Sequence, residues 1–272
     1  MVSDYRQEQI RYFRPPDLAG TELLSASRCA CTWRVIEKTY AVCAVSAGGG
    51  DYHYRGGHYI NGAKKLTFME PGELHYTTVV YQPADFTVLF ISPQEVEKFT
   101  AELGVPGTPH FGAQPIDDPA LSDSIFRLYG VVQASETPLT QQSKFTACIR
   151  LILGHADRTV RPIRRPFEHC AVARIKSYLE ENYSAPVTLD ELSAVAGGMS
   201  RFWLIHAFTR NVGMPPHAYQ LQCRIHRART LLLKGMPLAQ VATHCGFSDQ
   251  SHFTRHFKRI LNVTPGQYAR DR

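Results

Sequence analysis

Residues 237–268 contain two short apolar-periodic stretches joined by a glycine, and no other segment limits so narrowly what this chain can fold into. Pro237, after the helix-stopping Gly235, suits a first helical position, and Leu238, Val241 and Ala242 give the next helix one apolar face. Gly246 ends it. Ser248 or Asp249 can cap a second helix, in which Phe253, Phe257 and Ile260 recur at i, i+4 and i+7 as a buried stripe. Its other face holds Gln250, Ser251, Thr254, Arg255, Lys258 and Arg259. These are the amide, hydroxyl and cationic side chains that reach base edges and phosphates in a major groove. For one such helix alone, a solvated basic face explains the same residues.

The arrangement occurs twice. Thr188 precedes Leu189, Leu192 and Val195, then Gly197-Gly198, and Ser200 caps a helix with Leu204 and Phe208 inward and Arg201, Phe202, Ile205, His206, Thr209 and Arg210 outward. Residues 187–270 thus resemble the DNA-binding domain of the AraC/XylS family of bacterial transcription regulators. The resemblance rests on Val187-Thr188-Leu189-Asp190-Glu191-Leu192, on Ser200-Arg201-Phe202 with Phe208, and on Gly246-Phe247 through Phe257-Lys258 to Thr264-Pro265-Gly266-Gln267-Tyr268. It implies double-stranded DNA as a partner, and RNA polymerase as another if the regulator activates, the commoner mode. This chain departs from the pattern at Gly197-Gly198-Met199, one residue longer than the family's usual turn, at His206, where Arg is common, and at Thr209, where Lys or Arg is common. Base reading is therefore expected more of the second unit than of the first. The helix between the units, about 216–233, carries Ala218, Leu221, Ile225, Ala228 and Leu232 on one side. At 1.5 Å per residue it is about 27 Å long, near one DNA turn of about 34 Å, so it can hold two recognition helices in successive major grooves.

A chain of 272 residues suits two domains. The expected division is an effector and dimerisation domain over 1–157, a linker over 158–169 and a DNA-binding domain over 170–272. From 171 to 272 there are 13 Lys and Arg against 6 Asp and Glu; the remainder has 17 against 18, and the two parts make up the net charge of +6. The positive surplus lies with the helix pairs, as phosphate binding requires. Seven scattered cysteines include no Cys-x-x-Cys, so neither a disulfide framework nor a zinc module is indicated. With no signal segment or membrane-length apolar run, a cytoplasmic protein is expected.

Apolar or alternating runs over 40–46, 51–55, 65–69, 74–81 and 86–92, broken by glycine clusters and Glu70-Pro71-Gly72, predict a jelly-roll sandwich or barrel. The fold class is α+β in two domains: an N-terminal cupin-like barrel with helices, then an all-α domain of two helix-turn-helix units. The barrel resembles the family's effector domain, most recognisably at Pro71-Gly72-Glu73-Leu74-His75. Trp33, Tyr54, His75 and Tyr76 are candidate pocket residues for a small polar effector, with ordinary packing as the alternative. No metal or other cofactor is expected. The barrel has no His-x-His, and His53 and His58 are assigned to different strands or turns.

Beyond the strands, Ser92-Pro93 with Glu95 starts a helix to Leu103, and Asp117-Asp118-Pro119 and Thr137-Pro138 start two more. Leu121, Ile125 and Leu128, and then Phe145, Ile149 and Ile152, form stripes that resemble the family's dimerisation helices; packing on their own barrel is the alternative. Arg158, Arg161, Arg164 and Arg165 among prolines mark the linker. The reading is a sequence-specific, effector-responsive transcription regulator, active as a homodimer and not an enzyme. Three other classes remain to be distinguished: a cupin-type metalloenzyme, an alkyl-transfer DNA-repair protein carrying the same helices, and a DNA-compacting protein without sequence preference.

Overall fold

The computed structural model describes residues 9–103, 107–157 and 166–270, the side chains of 166–169 excepted. The chain forms two compact units, one running to Val160 and the other from Arg161 to Arg270.

The first unit contains β1 (Gln9–Phe13), β2 (Thr21–Cys29), β3 (Arg34–Ile36), β4 (Tyr40–Tyr54), β5 (Gly57–Gly62), β6 (Lys65–Met69), β7 (Leu74–Tyr76), β8 (Val80–Ile91), α1 (Pro93–Glu102), β9 (Ile116–Asp117), α2 (Pro119–Gln133) and α3 (Pro138–Gly154). The sheet runs β1-β2-β8-β4-β6-β9, with β5 and β7 also paired to β4, and β3 to β7. The 15-residue β4 is its spine. Two strands were expected here, divided at Gly48-Gly49-Gly50, but one strand runs through the glycines. Its register against β8 slips three times between Val45 and Gly50. A Cβ at Gly48 would lie 2.1 Å from the Pro83 carbonyl oxygen, and one at Gly50 would lie 2.4 Å from that of Val79. The glycines thus permit close backbone approach at a bulged bend rather than a chain reversal. The first half of β4 pairs with β6 and the second with β5 and β7. The strand expected over 74–81 is also corrected: β7 ends at Tyr76, and 77–79 wrap around the Asp51 carboxylate before β8 begins.

Ser92, Asp118 and Thr137 cap α1, α2 and α3, each with a proline in its first turn. α2 and α3 pack on the sheet face of Leu23, Val42, Ala44, Leu66, Phe68 and Leu89. Leu121, Ile125 and Leu128 are 0% exposed, and Phe145, Ile149 and Ile152 are at most 4% exposed. The proposed dimerisation stripes are therefore this chain's own core, where each such side chain stabilises the fold by roughly 1.5–3 kcal/mol. Side chains already removed from water offer a second chain no apolar surface. A void of about 10 Å³ lined by Val42, Phe68, Ile91 and Ile149 is the scale of one water at most.

The second unit contains α4 (Pro166–Glu181), α5 (Leu189–Val195), α6 (Arg201–Val212), α7 (Pro216–Leu233), α8 (Leu238–His244), α9 (Gln250–Leu261) and α10 (Pro265–Arg270). Its first helix begins within the expected linker; residues 158–165, with all four linker arginines, lie outside the described residues. The axis is α7, as its periodicity required. Arg224 on α7 donates to the carbonyls of Tyr183 at 2.7 Å, Gly246 at 2.6 Å and Ala185 at 3.3 Å. Gln220, one turn earlier, donates to Asn182 and Ala185 carbonyls at 3.0 and 2.9 Å. One helix thus ties the connection ahead of α5 to the turn between α8 and α9. Arg229 likewise bonds the Tyr268 hydroxyl at 2.9 Å.

Candidate nucleic-acid interface and effector chamber

Three of the four helices in the two helix-turn-helix units begin with a side-chain cap, and α8, which follows Pro237, has none. Thr188 and Glu191 form a reciprocal capping box on α5, Ser200 caps α6, and Asp249 accepts from the His252 N–H at 2.7 Å at the start of α9. Gly246 has φ +74°, and a Cβ there would meet the Ser184 oxygen at 2.1 Å. Phe253 and Phe257 are fully buried, and Gln250, Ser251, Arg255, Lys258 and Arg259 are exposed, with Thr254 half-buried. α9 therefore presents the expected polar face.

Arg259 is partly committed. It donates to His256 Nδ1 at 2.9 Å, so that nitrogen is an acceptor. Burial first, then the charge of Arg259 beside it, lower the His256 pKa to about 4, so the ring is neutral at pH 7 and, with Nδ1 accepting, its proton sits on Nε2. That N–H meets His252 Nε2 at 2.7 Å. His252 Nδ1 then donates to Ser248 Oγ at 3.1 Å, and Ser248 donates to Asp249 at 3.0 Å. Hydrogen bonds of one polarity thus run from a surface cation to the helix cap, a relay absent from the sequence reading.

On α6, Arg201, Phe202, Ile205, His206 and Arg210 are all exposed, Phe202 by 75%. The Phe202 and His206 rings lie 4.4 Å apart. Arg201 is held by two 2.6 Å hydrogen bonds to Asp190 of α5. The first recognition face is consequently more apolar, with its leading cation engaged within the protein.

In the barrel, strand alternation decides which candidate effector residues converge. Tyr54 pairs with His75, and His53 with Tyr76. The first pair faces the buried side, with Tyr52 and Tyr59 of the β4–β5 pair. Tyr76 faces the opposite side, stacked on His53 at 4.4 Å, with the Arg34 guanidinium 4.7 Å from its ring centre. It therefore lies on the opposite face of the sheet from Tyr54 and His75. Trp33 is half-buried, edge-on to Phe86 at 6.4 Å. Tyr54 is a wall already in use. Its hydroxyl donates to Glu73 and accepts from the Glu70 N–H at 3.0 Å, while Arg55 bridges Glu70 and Glu73 at 2.8 Å each.

Three buried polar atoms on this side have no partner among the described residues: Tyr52 Oη, Asn61 Oδ1 and His75 Nδ1. Asn61 and Tyr52 share a face through the hairpin register, and His75 joins them across Tyr54. Burial lowers the His75 pKa to about 4 and raises that of the neighbouring half-buried Cys43 thiol to about 12, so both are neutral at pH 7. Tyr52, Asn61 and Cys43 were not selected from sequence: Tyr52 and Cys43 lie in runs expected as strands, Asn61 lies on β5, which was not expected, and only the cross-strand register shows which of them face one side.

His53 and His58 lie on different strands, as expected, yet are directly paired across this hairpin, and their rings stack at 4.4 Å. This corrects the geometric premise on which the barrel was read as lacking any metal-ligand cluster.

A sheet-rich unit with polar groups on its buried side, followed by two helix-turn-helix units, defines a ligand-responsive DNA-binding transcription regulator. A family model described as an AraC-like ligand binding domain matches residues 30–148, and one described as a helix-turn-helix domain matches 194–271. The chain belongs to the AraC/XylS family of transcription regulators. It is 28% identical over 196 residues to an uncharacterized HTH-type transcriptional regulator, YbfI, of Bacillus subtilis, covering 71% of each chain. It is 25% identical over 249 residues to the transcriptional activator NphR of Rhodococcus sp, covering 85% of this chain and 70% of NphR. The structure of ToxT from Vibrio cholerae with a bound unsaturated fatty acid shares the fold, with a TM-score of 0.57 over 98% of this chain and 97% of ToxT at 14% identity. Among the described residues no helix is long and apolar enough to cross a membrane.

Proposed function

We propose that this regulator is a cytoplasmic activator that binds a small, uncharged polar organic molecule in its N-terminal barrel and recruits RNA polymerase from DNA read mainly by α9. The three unpartnered buried atoms carry the effector reading. Tyr52 can donate, and Asn61 Oδ1 and the Nδ1 of neutral His75 can accept, which suits hydroxyl, carbonyl or amide groups. The fatty acid bound by ToxT presents a carboxylate. Here Arg55, next to Tyr54, is engaged by Glu70 and Glu73, which favours a neutral ligand.

A thermal-shift screen of neutral polar metabolites against carboxylates tests this. A ligand at about a hundred times its Kd should add about 2.7 kcal/mol, and Tyr52→Phe should reduce the gain. Stabilisation by carboxylates alone would overturn the neutral class. Two chains are proposed to associate through the solvent face of α3, where Ala147 and Leu151 are exposed at i and i+4. Sedimentation showing a monomer at micromolar concentration, with and without DNA, would refute that.

A further inference from the structure

One cluster outside both the chamber and the recognition helices has metal-ligand chemistry. Asp51 and His53 lie at i and i+2 on β4, and His58 stands opposite His53 on β5. One ligand atom from each lies within 4.8 Å of the other two. The hairpin holds this register with a two-residue turn in which Arg55 and Gly56 both have positive φ, 50° and 78°, the backbone that matches strand twist. His53 Nε2 is 3.0 Å from Asp51 Oδ2. In a tetrahedral site with bonds of about 2.0–2.1 Å, adjacent ligand atoms lie about 3.3 Å apart, so this pair already forms one edge.

Supporting groups hold that edge in place. Asp51 Oδ1 accepts from the Thr78 and Val79 N–H groups at 2.6 and 3.0 Å, and Thr78 Oγ1 donates to Oδ2. The Tyr76 ring, at an interplanar angle of 4°, fixes the plane of His53. His58 is exposed, so its side chain is free to close the remaining gap of roughly 1.5 Å and leave the other coordination position to water.

We propose that Asp51, His53 and His58 bind a divalent transition-metal ion, of the zinc, nickel or copper class, on the solvent face of the β4–β5 hairpin. Two imidazole nitrogens and one carboxylate oxygen suit these ions, whereas magnesium and calcium favour oxygen-only sets. Because the carboxylate can only accept, His53 carries its proton on Nε2 without metal; binding moves that proton through solvent to Nδ1, and the Nε2 lone pair takes the ion. Asp51 also holds the connection from β7 to β8, so the ion would load that connection directly.

The test is calorimetric titration of the chelator-stripped full-length protein with zinc chloride and with nickel chloride. The wild type should bind one ion per chain at micromolar concentration. His58→Ala, at an exposed position, should leave the melting temperature unchanged and weaken binding by about tenfold or more, and His53→Ala should do the same to binding. The double variant His252→Ala/His256→Ala, which removes the i, i+4 histidine pair of α9, should bind as the wild type does. No uptake by the wild type, uptake unchanged in both hairpin variants, or loss only in the α9 variant would overturn the assignment.

Discussion

The two helix-turn-helix units share a plan and differ in finish. Gly246 is pressed against the Ser184 carbonyl, whereas a Cβ at Gly198 would meet nothing and one at Gly197 only the end of Arg174 at 3.6 Å. α9 offers amide, hydroxyl and cationic groups, while α6 leads with Phe202 and an arginine held by Asp190. The second unit is therefore tightly specified in packing and in hydrogen-bonding chemistry. The first has slack in its turn and an apolar surface better suited to base methyls and sugar edges than to bidentate base pairing.

The largest effect should come from the turns. Gly246→Ala combines left-handed strain with a 2.1 Å clash and should destabilise the second unit by about 3 kcal/mol or more. Gly198→Ala, with φ +78° and open space, should lose only about 1 kcal/mol. Equal losses in calorimetric melts would erase the distinction between the turns.

Next is the tie between the units. Arg224→Met strands the carbonyls of Tyr183 and Gly246, while Ala185 keeps its bond from Gln220, and should destabilise by about 2–3 kcal/mol. Arg201→Met removes only an exposed ion pair and should stay within about 0.5 kcal/mol. A melt in which the two variants behave alike would contradict the assigned structural role of Arg224.

On DNA, Arg255→Ala should lose about 1–3 kcal/mol, ten- to a hundredfold, at the cognate site and less on random sequence, with a smaller loss for His206→Ala. Equal weakening of Arg255→Ala on both DNAs would make it a phosphate contact, and an equal or greater loss from His206→Ala would reverse the ranking of the units.

The smallest effect is acid sensitivity. His256 has its folded pKa lowered from 6.5 to about 4, so the unfolded chain binds more protons between those values. Its contribution to stability is complete above about pH 6.5 and is lost as pH falls towards 4. His256→Gln should flatten this dependence in the second unit and leave that of His75, with a similar shift in the first unit, intact. A wild-type second unit whose melting temperature is level from pH 7 to 4 would refute the neutral His256.

Much of the second unit was legible because its determinants are local. Caps, a glycine turn and 3.6-residue stripes located α5 through α9, and the exposed faces of α6 and α9 follow from those periods alone. The barrel was less legible. β2, with the sequence TELLSASRC, is short of β-branched residues and is a strand because the distant β8 pairs with it, while β5, GHYING, bounded by glycines, is a strand because it pairs with the end of β4.

Apolar stripes and cap signals thus determined from sequence alone that α2, α3 and the recognition helices exist and which side of each is buried. A stripe records burial but carries no information about what covers it. Only the tertiary structure decided that Leu121, Ile125, Leu128, Phe145, Ile149 and Ile152 pack on their own sheet. The same limit applies to strands, because cross-strand register depends on pairings, turns and bulges far along the chain. That register separated Tyr76 from His75, brought Tyr52, Asn61 and His75 to one inner face, and set His58 against His53.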